Sequence, residues 1–259
     1  MIDLHNHLLA GLDDGASDPV ETLEMCRIAA KDGIRVIVAT PHSCTGDFMT
    51  EPETVLNMVG NLNSRLKTEG LDLKVLPGME IRVVPELPEL LTFGKLMPLN
   101  LGKYLLLEFQ HAHVPAGFHR LIDLLKQKGY SIVLGHPEKN LRIQEDDRYL
   151  PKLMESLGPW DLILQISADS LTGDAGKPAY KTACNLMKKG LVNVIATDAH
   201  SPKLRPPLIS KALAEATRLV GEARALQMVR DIPKAILKGL GFPQPVDVAS
   251  PLPWWKIFS

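Results

Sequence analysis

Short runs of apolar, β-branched residues alternate along the chain with longer segments whose apolar positions recur every three or four residues. The short runs predict seven strands, at Met1–Leu4, Arg35–Thr40, Lys74–Glu80, Tyr104–Phe109, Ser131–Leu134, Leu162–Ile166 and Val192–Thr197. The segments between them have helical ends. Asp18, Pro19 and Glu21 read as the N-cap, first-turn proline and capping-box glutamate of a helix that stops at Gly33. Val55, Leu56, Val59, Leu62 and Leu66 form an apolar stripe ending at Gly70. Phe118, Leu121, Ile122 and Leu125 do the same before Gly129, and Tyr180, Ala183, Cys184 and Met187 before Gly190. Such alternation predicts parallel βα units with right-handed crossovers. With no Gly-x-Gly-x-x-Gly turn, the expected class is α/β, a distorted seven-stranded, TIM-barrel-like βα barrel whose chemistry sits at the strand C-termini. The barrel is expected over residues 1–240 and a C-terminal tail over 241–259.

Polar residues recur at those strand ends. The first strand runs into His5 and His7, which alternation puts on one side of the chain, with Asp13-Asp14-Gly15 in the loop beyond. The second ends at Thr40-Pro41-His42, the third at Glu80, and the fourth at Glu108-Phe109. The fifth runs into Gly135-His136-Pro137-Glu138 and the seventh into Asp198-Ala199-His200. Six of seven strands thus deliver a histidine or carboxylate to the same end, and five of the eight histidines lie there, which chance scatter would not produce. Converging imidazoles and carboxylates are metal ligands, and without a cation such carboxylates would repel and be desolvated. The candidates are His5, His7, Asp14, His42, Glu80, Glu108, His136, Asp198 and His200, more than one ion needs. Two to three ions are expected, and the donors suit Mn, Fe, Co or Zn.

Composition removes several alternatives. A net charge of −1 leaves no electrostatic footprint for nucleic acid. Cys26, Cys44 and Cys184 are odd in number and far apart, as in a reducing cytoplasm, and none begins a Cys-x5-Arg loop, so a thiolate phosphatase in its usual form is excluded. No apolar run approaches the roughly 20 residues of a membrane span. The histidine pair occupies the place of a signal-peptide n-region, so a cytoplasmic protein is expected. Trp254-Trp255, within Pro251–Ser259, reads as a docking segment or a weak peripheral membrane contact.

The blocks MIDLHNHLLAGLDDGA, IVATPH, VLPGMEIR, LLLEF, VLGHPEKN, and IATDAHS followed by Arg205-Pro206-Pro207 resemble the PHP (polymerase and histidinol phosphatase) superfamily. More narrowly, they resemble its manganese-dependent protein-tyrosine phosphatases of the CpsB type, from bacterial capsule and exopolysaccharide systems. The likeness implies a three-metal centre. His5, His7, Glu80 and Asp198 would hold one ion, a bridging Glu80 with Glu108 and His136 a second, and Asp14, His42 and His200 a third. Arg205 matches a phosphate-binding arginine. Lys139 stands where the family usually has arginine, keeping the charge but losing the bidentate fork. His113 is a candidate near the mouth, and Ser43–Glu51, with Phe48, a candidate wall.

The activity this implies is hydrolysis of phosphotyrosine on the tail of a bacterial tyrosine kinase. A metal-activated hydroxide would attack without a covalent intermediate, and the phenolate, with a pKa near ~10, leaves with little acid assistance. The alternative within the superfamily is a small-molecule phosphomonoesterase such as a histidinol phosphatase. A non-catalytic metal-stabilised binding protein, or a polymerase-associated module, fits the intact ligand set and near-neutral charge less well.

Overall fold

The computed structural model describes residues 1–157 and 161–240, so the tail with Trp254-Trp255 lies outside the described residues. All seven expected strands are present; the third is broken, and the second resumes as a further strand beyond its expected end at Thr40. The first is β1 (Ile2–Asn6). The second is β2 (Val36–Ala39), which resumes past Pro41 as β3 (His42–Thr45), and β4 (Phe48–Met49) turns back antiparallel to β3. This hairpin occupies the stretch expected to wall the site. The third is β5 (Lys74–Pro77), resuming as β6 (Glu80–Arg82). Proline lacks an N–H for the ladder, which accounts for breaks at Pro41 and Pro77. Gly78 lets that break pack tightly, since a Cβ there would lie 2.8 Å from Val38 Cγ1. Four unbroken strands follow: β7 (Tyr104–Glu108), β8 (Ser131–Gly135), β9 (Leu162–Ser167) and β10 (Val192–Ala196).

The breaks let two strands serve two sheets. Their first halves pair as β1-β2-β5, and their second halves enter the order β10-β9-β8-β7-β6-β3-β4. Every pairing but β3–β4 is parallel. The residues after β10 then meet β1: Asp198 N–H donates to His5 O, and His7 N–H to Ala199 O, both at 2.9 Å. Beneath this seam the buried Asp3 carboxylate accepts from Thr197 N–H at 2.9 Å and Asn6 Nδ2 at 3.0 Å. The strand order thereby returns to its start, which is the distorted seven-stranded arrangement expected.

Leu4, Val38, Leu106, Val133, Ile163 and Val194 supply an inward layer from six strands, closed below by Ile232 and Ile236 of the helix Ile232–Leu237. The neighbouring strand residues, such as Leu105, Leu107, Ile132 and Leu134, face the larger core under the outer helices. With the lower ring filled by side chains, chemistry is confined to the strand C-terminal end.

The helix Pro19–Lys31 is capped by Asp18 Oδ1, which accepts from Val20 and Glu21 N–H at 2.7 and 2.9 Å. Glu21 reaches the N–H and hydroxyl of Ser17, one residue earlier than the expected capping box. In the helix Pro52–Thr68 the expected stripe is buried except for Leu56, which is 40% exposed. No helix among the described residues is long and apolar enough to cross a membrane.

Candidate metal centre

His5 and His7 leave the end of β1 on one side, as alternation requires, and both are buried. His5 Nδ1 lies 2.9 Å from Gln165 Oε1, and His7 Nδ1 lies 2.7 Å from Asp13 Oδ2. Those oxygens only accept, so each Nδ1 carries its hydrogen and each Nε2 is the atom left to face inward. The two Nε2 atoms are 3.1 Å apart. They stand 3.2 and 3.4 Å from Glu80 Oε2, and 3.5 and 3.6 Å from Asp198 Oδ1. Four electron-rich atoms at such distances repel one another unless positive charge lies among them.

All nine expected ligands fall in this one cluster. Their donor atoms come within 4.8 Å of one another in overlapping groups: His7, Asp14, His42 and His200; His5, His7 and Glu80; His5, His136 and Asp198; and His42, Glu80 and Glu108. The first group contains the implied third-ion set, with His7 added. Glu108 differs from the implied grouping, standing with His42 rather than His136. Its Oε1 accepts from Thr45 Oγ1 at 2.7 Å and Arg82 Nε at 3.0 Å, while His136 Nε2 lies 2.6 Å from Glu80 Oε1.

The backbone bends sharply to deliver two of these side chains. His136 and Asp198 have φ of 31° and 52°, left-handed values that residues other than glycine seldom adopt and that concentrate at functional sites. In the loop after β1, Ala16 N–H returns to His7 O at 3.0 Å, and a Cβ on Gly15 would lie 2.0 Å from that oxygen. Only glycine lets the loop close so tightly, which brings Asp13 behind His7.

The cluster demands positive charge. Burial opposes protonation of His7, yet the hydrogen bond to Asp13 and the negative charge of Asp13 and Glu80 raise it to about 9. Burial likewise opposes charge on His42 and His136, but Glu108 and Glu80 carry His42 to about 11, and Glu80 carries His136 to about 9. Burial would raise Glu80 and Asp198, but the neighbouring His5 and His136, with Lys139 for Asp198, hold both carboxyls well below the usual range. The hydrogen bond from His200 takes Asp14 to about 2. His42 Nδ1 and Glu80 Oε2, buried and 2.9 Å apart, make no hydrogen bond. Orphaned lone pairs, carboxylates held ionised and no thiol in the group fit divalent cations bound by nitrogen and oxygen.

A cavity of about 580 Å³ opens over the cluster. On one wall Lys139 Nζ sits 3.0 Å from Asp169 Oδ2 and 3.0 Å from Asp198 Oδ2. Arg205 Nη2 is 2.6 Å from Asp198 Oδ2 and 2.8 Å from the Asp198 carbonyl oxygen. On another stand Arg82, Phe109 and His111. Phe48, half-buried on the β3–β4 hairpin, stacks on the His42 ring with centroids 6.1 Å apart. His113 is exposed and outside the cavity lining; its backbone carbonyl accepts from Asn140 Nδ2, and His111 is the histidine of that loop that lines the cavity.

Several residues here have no counterpart among the sequence-read candidates. Adjacency in sequence does not separate Asp13, which backs His7, from Asp14, which faces His42 and His200. Gln165 is the single strongly polar side chain in the run Leu162–Ser167, on the one strand that ends without histidine or carboxylate. Asp169 and Arg82 carried no spacing signal.

The profile of the family described as "Capsular polysaccharide synthesis, CpsB/CapC" matches residues 1–238. Tyrosine-protein phosphatase YwqE of Bacillus subtilis is 40% identical over 205 residues, 79% of each chain. The putative tyrosine-protein phosphatase CapC of Staphylococcus aureus is 33% identical over 82% of this chain and 81% of its own. In three dimensions the chain superposes on a crystal structure from a study of YwqE and of CpsB from Streptococcus pneumoniae, described as unique metal-dependent tyrosine phosphatases. The TM-score is 0.87 and the identity 36%, with 96% of this chain and 100% of that one covered. The histidinol phosphate phosphatase of Lactococcus lactis shares the fold alone, at TM-score 0.56 and 16% identity over 93% and 94% of the two chains.

Proposed function

The chain belongs to the CpsB/CapC family of capsular polysaccharide synthesis, and from that premise we propose that its strand-end cluster is the metal centre of a protein-tyrosine phosphatase. The protein is a phosphoric monoester hydrolase that acts on phosphotyrosine and depends on metal. The observation that carries the site assignment is the meeting of His5 and His7 Nε2 with Glu80 and Asp198, with both imidazoles pinned from behind by Gln165 and Asp13.

His5, His7, Asp14, His42, Glu80, Glu108, His136, Asp198 and His200 would hold two to three ions, with manganese the first candidate. When bound, such ions lower the pKa of a coordinated water toward ~7 and neutralise charge on phosphoryl oxygens. Gln165 and Asp13 keep the two imidazoles in the tautomer that presents Nε2. Lys139 and Arg205 stand beside Asp198 and would hold the non-bridging oxygens of the phosphoryl group. A phenolate, with a pKa near ~10, departs with little help from an acid. The reading calls for no side-chain nucleophile: Cys26 and Cys184 are buried, and Cys44 does not line the cavity. The open cavity, lined by charged side chains, supports a flexible protein segment as substrate, and the family's place in capsule synthesis supports the tail of a bacterial tyrosine kinase, met in the cytoplasm.

The test is phosphate release from a phosphotyrosyl peptide by chelator-stripped protein resupplied separately with Mn, Fe, Co and Zn. Turnover should vanish on stripping and return with one or more ions. His42→Ala and His136→Ala should lower kcat/KM by roughly a hundredfold or more. Full activity in metal-free protein, or in both variants, would overturn the assignment.

A further inference from the structure

We propose that Arg82 is a specificity-determining residue that binds an acidic side chain next to the phosphotyrosine of a peptide substrate, an inference that rests on the phosphatase reading above. Arg82 is the last residue of β6, two beyond Glu80 and so on the same side of the strand. That places its backbone about 7 Å nearer the mouth than that of the buried Glu80. It pairs in register with Glu108 on β7. Its Nε donates to Glu108 Oε1 at 3.0 Å, which sets the plane of the guanidinium. Among the described residues neither of its terminal nitrogens makes a hydrogen bond, although the side chain is only 20% exposed and lines the cavity. A guanidinium presents its N–H groups as a rigid fork matched to carboxylate, so this side chain is aimed and largely unspent.

The other two cations of the cavity are in a different state. Lys139 is shared between Asp169 and Asp198, and Arg205 takes both the carboxylate and the carbonyl of Asp198. Those two answer charge at the depth of the metal-ligand cluster, where the phosphoryl group must sit to react. The Arg82 backbone lies further out, and only its Nε reaches back to the cluster at Glu108. A phosphotyrosine reaching the cluster leaves its own backbone beyond that level, and an adjacent Asp or Glu can reach back to it. Glu108 Oε1 is already divided between Arg82 and Thr45, and the other carboxylates of the lining have partners of their own: Asp14 faces His42 and His200, Asp169 and Asp198 hold Lys139, and Asp174 accepts from Thr172.

The experiment uses manganese-loaded protein and two phosphotyrosyl peptides that differ only in Glu or Gln beside the phosphotyrosine. The wild type should favour the Glu peptide by about tenfold in kcat/KM, mainly through KM, as expected of one charge-assisted contact. Arg82→Gln should bring that ratio close to one, and Arg82→Lys should keep part of it. Arg82→Glu should favour a third peptide carrying Lys at the same position. Any loss common to all peptides reads the hold of Arg82 on Glu108, so the ratio is the measure of the proposal. A wild type with no preference would overturn it, as would a ratio unmoved by Arg82→Gln, and either would leave the phosphatase reading standing. Absence of turnover on every peptide would remove both.

Discussion

Replacing Asp13 by Asn keeps the shape of the side chain but takes away its charge and one acceptor oxygen. In the folded protein that carboxylate is almost fully buried and accepts three hydrogen bonds: from His7 Nδ1 at 2.7 Å, from His42 N–H at 2.9 Å and from Gly15 N–H at 2.9 Å. The first two fall on Oδ2 and the third on Oδ1. An amide has one accepting oxygen, so an Asn here must point its NH2 group at a donor in either orientation. Turned one way it abandons Gly15 and loosens the loop that carries Asp14. Turned the other way it abandons both His7 and His42. Even the better orientation leaves His7 backed by a neutral acceptor, which makes its Nε2 a weaker donor to a metal. Loss of such an outer partner lowers metal affinity by roughly 10- to 100-fold, or about 1.4–2.7 kcal/mol. Calorimetric titration of Mn into stripped protein measures the change directly. Turnover of a phosphotyrosyl peptide should recover to within severalfold of wild type once metal is saturating. An unaltered Kd in a protein with an unaltered Tm would refute the argument, because His7 would then not depend on Asp13 for its orientation.

Gln165→Leu strips the acceptor from behind His5 on the far side of the same pair, and metal affinity should fall by about tenfold; an unchanged titration would separate the two imidazoles in function. Gly15→Ala forces a Cβ to within 2.0 Å of the His7 carbonyl oxygen and should destabilise the fold by about 3 kcal/mol, at the upper end of ordinary substitutions. Thermal unfolding checks this, and a Tm equal to wild type would mean that the loop can close another way. Burial pushes the Cys26 thiol up to about 12, so at pH 8 only about one molecule in ten thousand carries the reactive thiolate. Mapping alkylated peptides after iodoacetamide treatment of the native protein should leave Cys26 unmodified, and prompt labelling would show that the helix Pro19–Lys31 opens readily.

The strands were legible because each is a compact apolar run closed by a turn or a helix signal, and a βα barrel then sends the polar residue after each run to one place. That is why nine ligand candidates, drawn from positions as far apart as His5 and His200, meet in one cluster. What stayed hidden depends on contacts between segments rather than on spacing. Asp13 and Asp14 are neighbours in sequence, and only the return of the loop onto His7 decides that one backs the imidazole and the other faces His42 and His200. Gln165 has no ligand spacing of its own, and its role comes from β9 lying two strands from β1 across β10, where its side chain reaches His5. The break at Gly78 splits the expected strand Lys74–Glu80, and the resumption at His42–Thr45 lies beyond the expected end at Thr40, because periodicity does not register a strand changing its partner. Leu56 fits the helical stripe but stands at its exposed edge. Between His111 and His113 nothing local distinguishes the side chain that enters the cavity.

The seam between β1 and the residues after β10 has a consequence for the whole molecule. His5 and His7 come from one lip of that seam and Asp198 and His200 from the other, at opposite ends of the strand order. A cation gripped by both lips is a clasp, since a ring that has parted there offers only halves of a site. Binding then favours the shut ring by mass action, by about 2.7 kcal/mol when free metal stands at a hundred times its Kd. Resistance to heat and to proteases would then rise and fall with cation supply, and scarcity of the ion would weaken the enzyme's closure together with its chemistry.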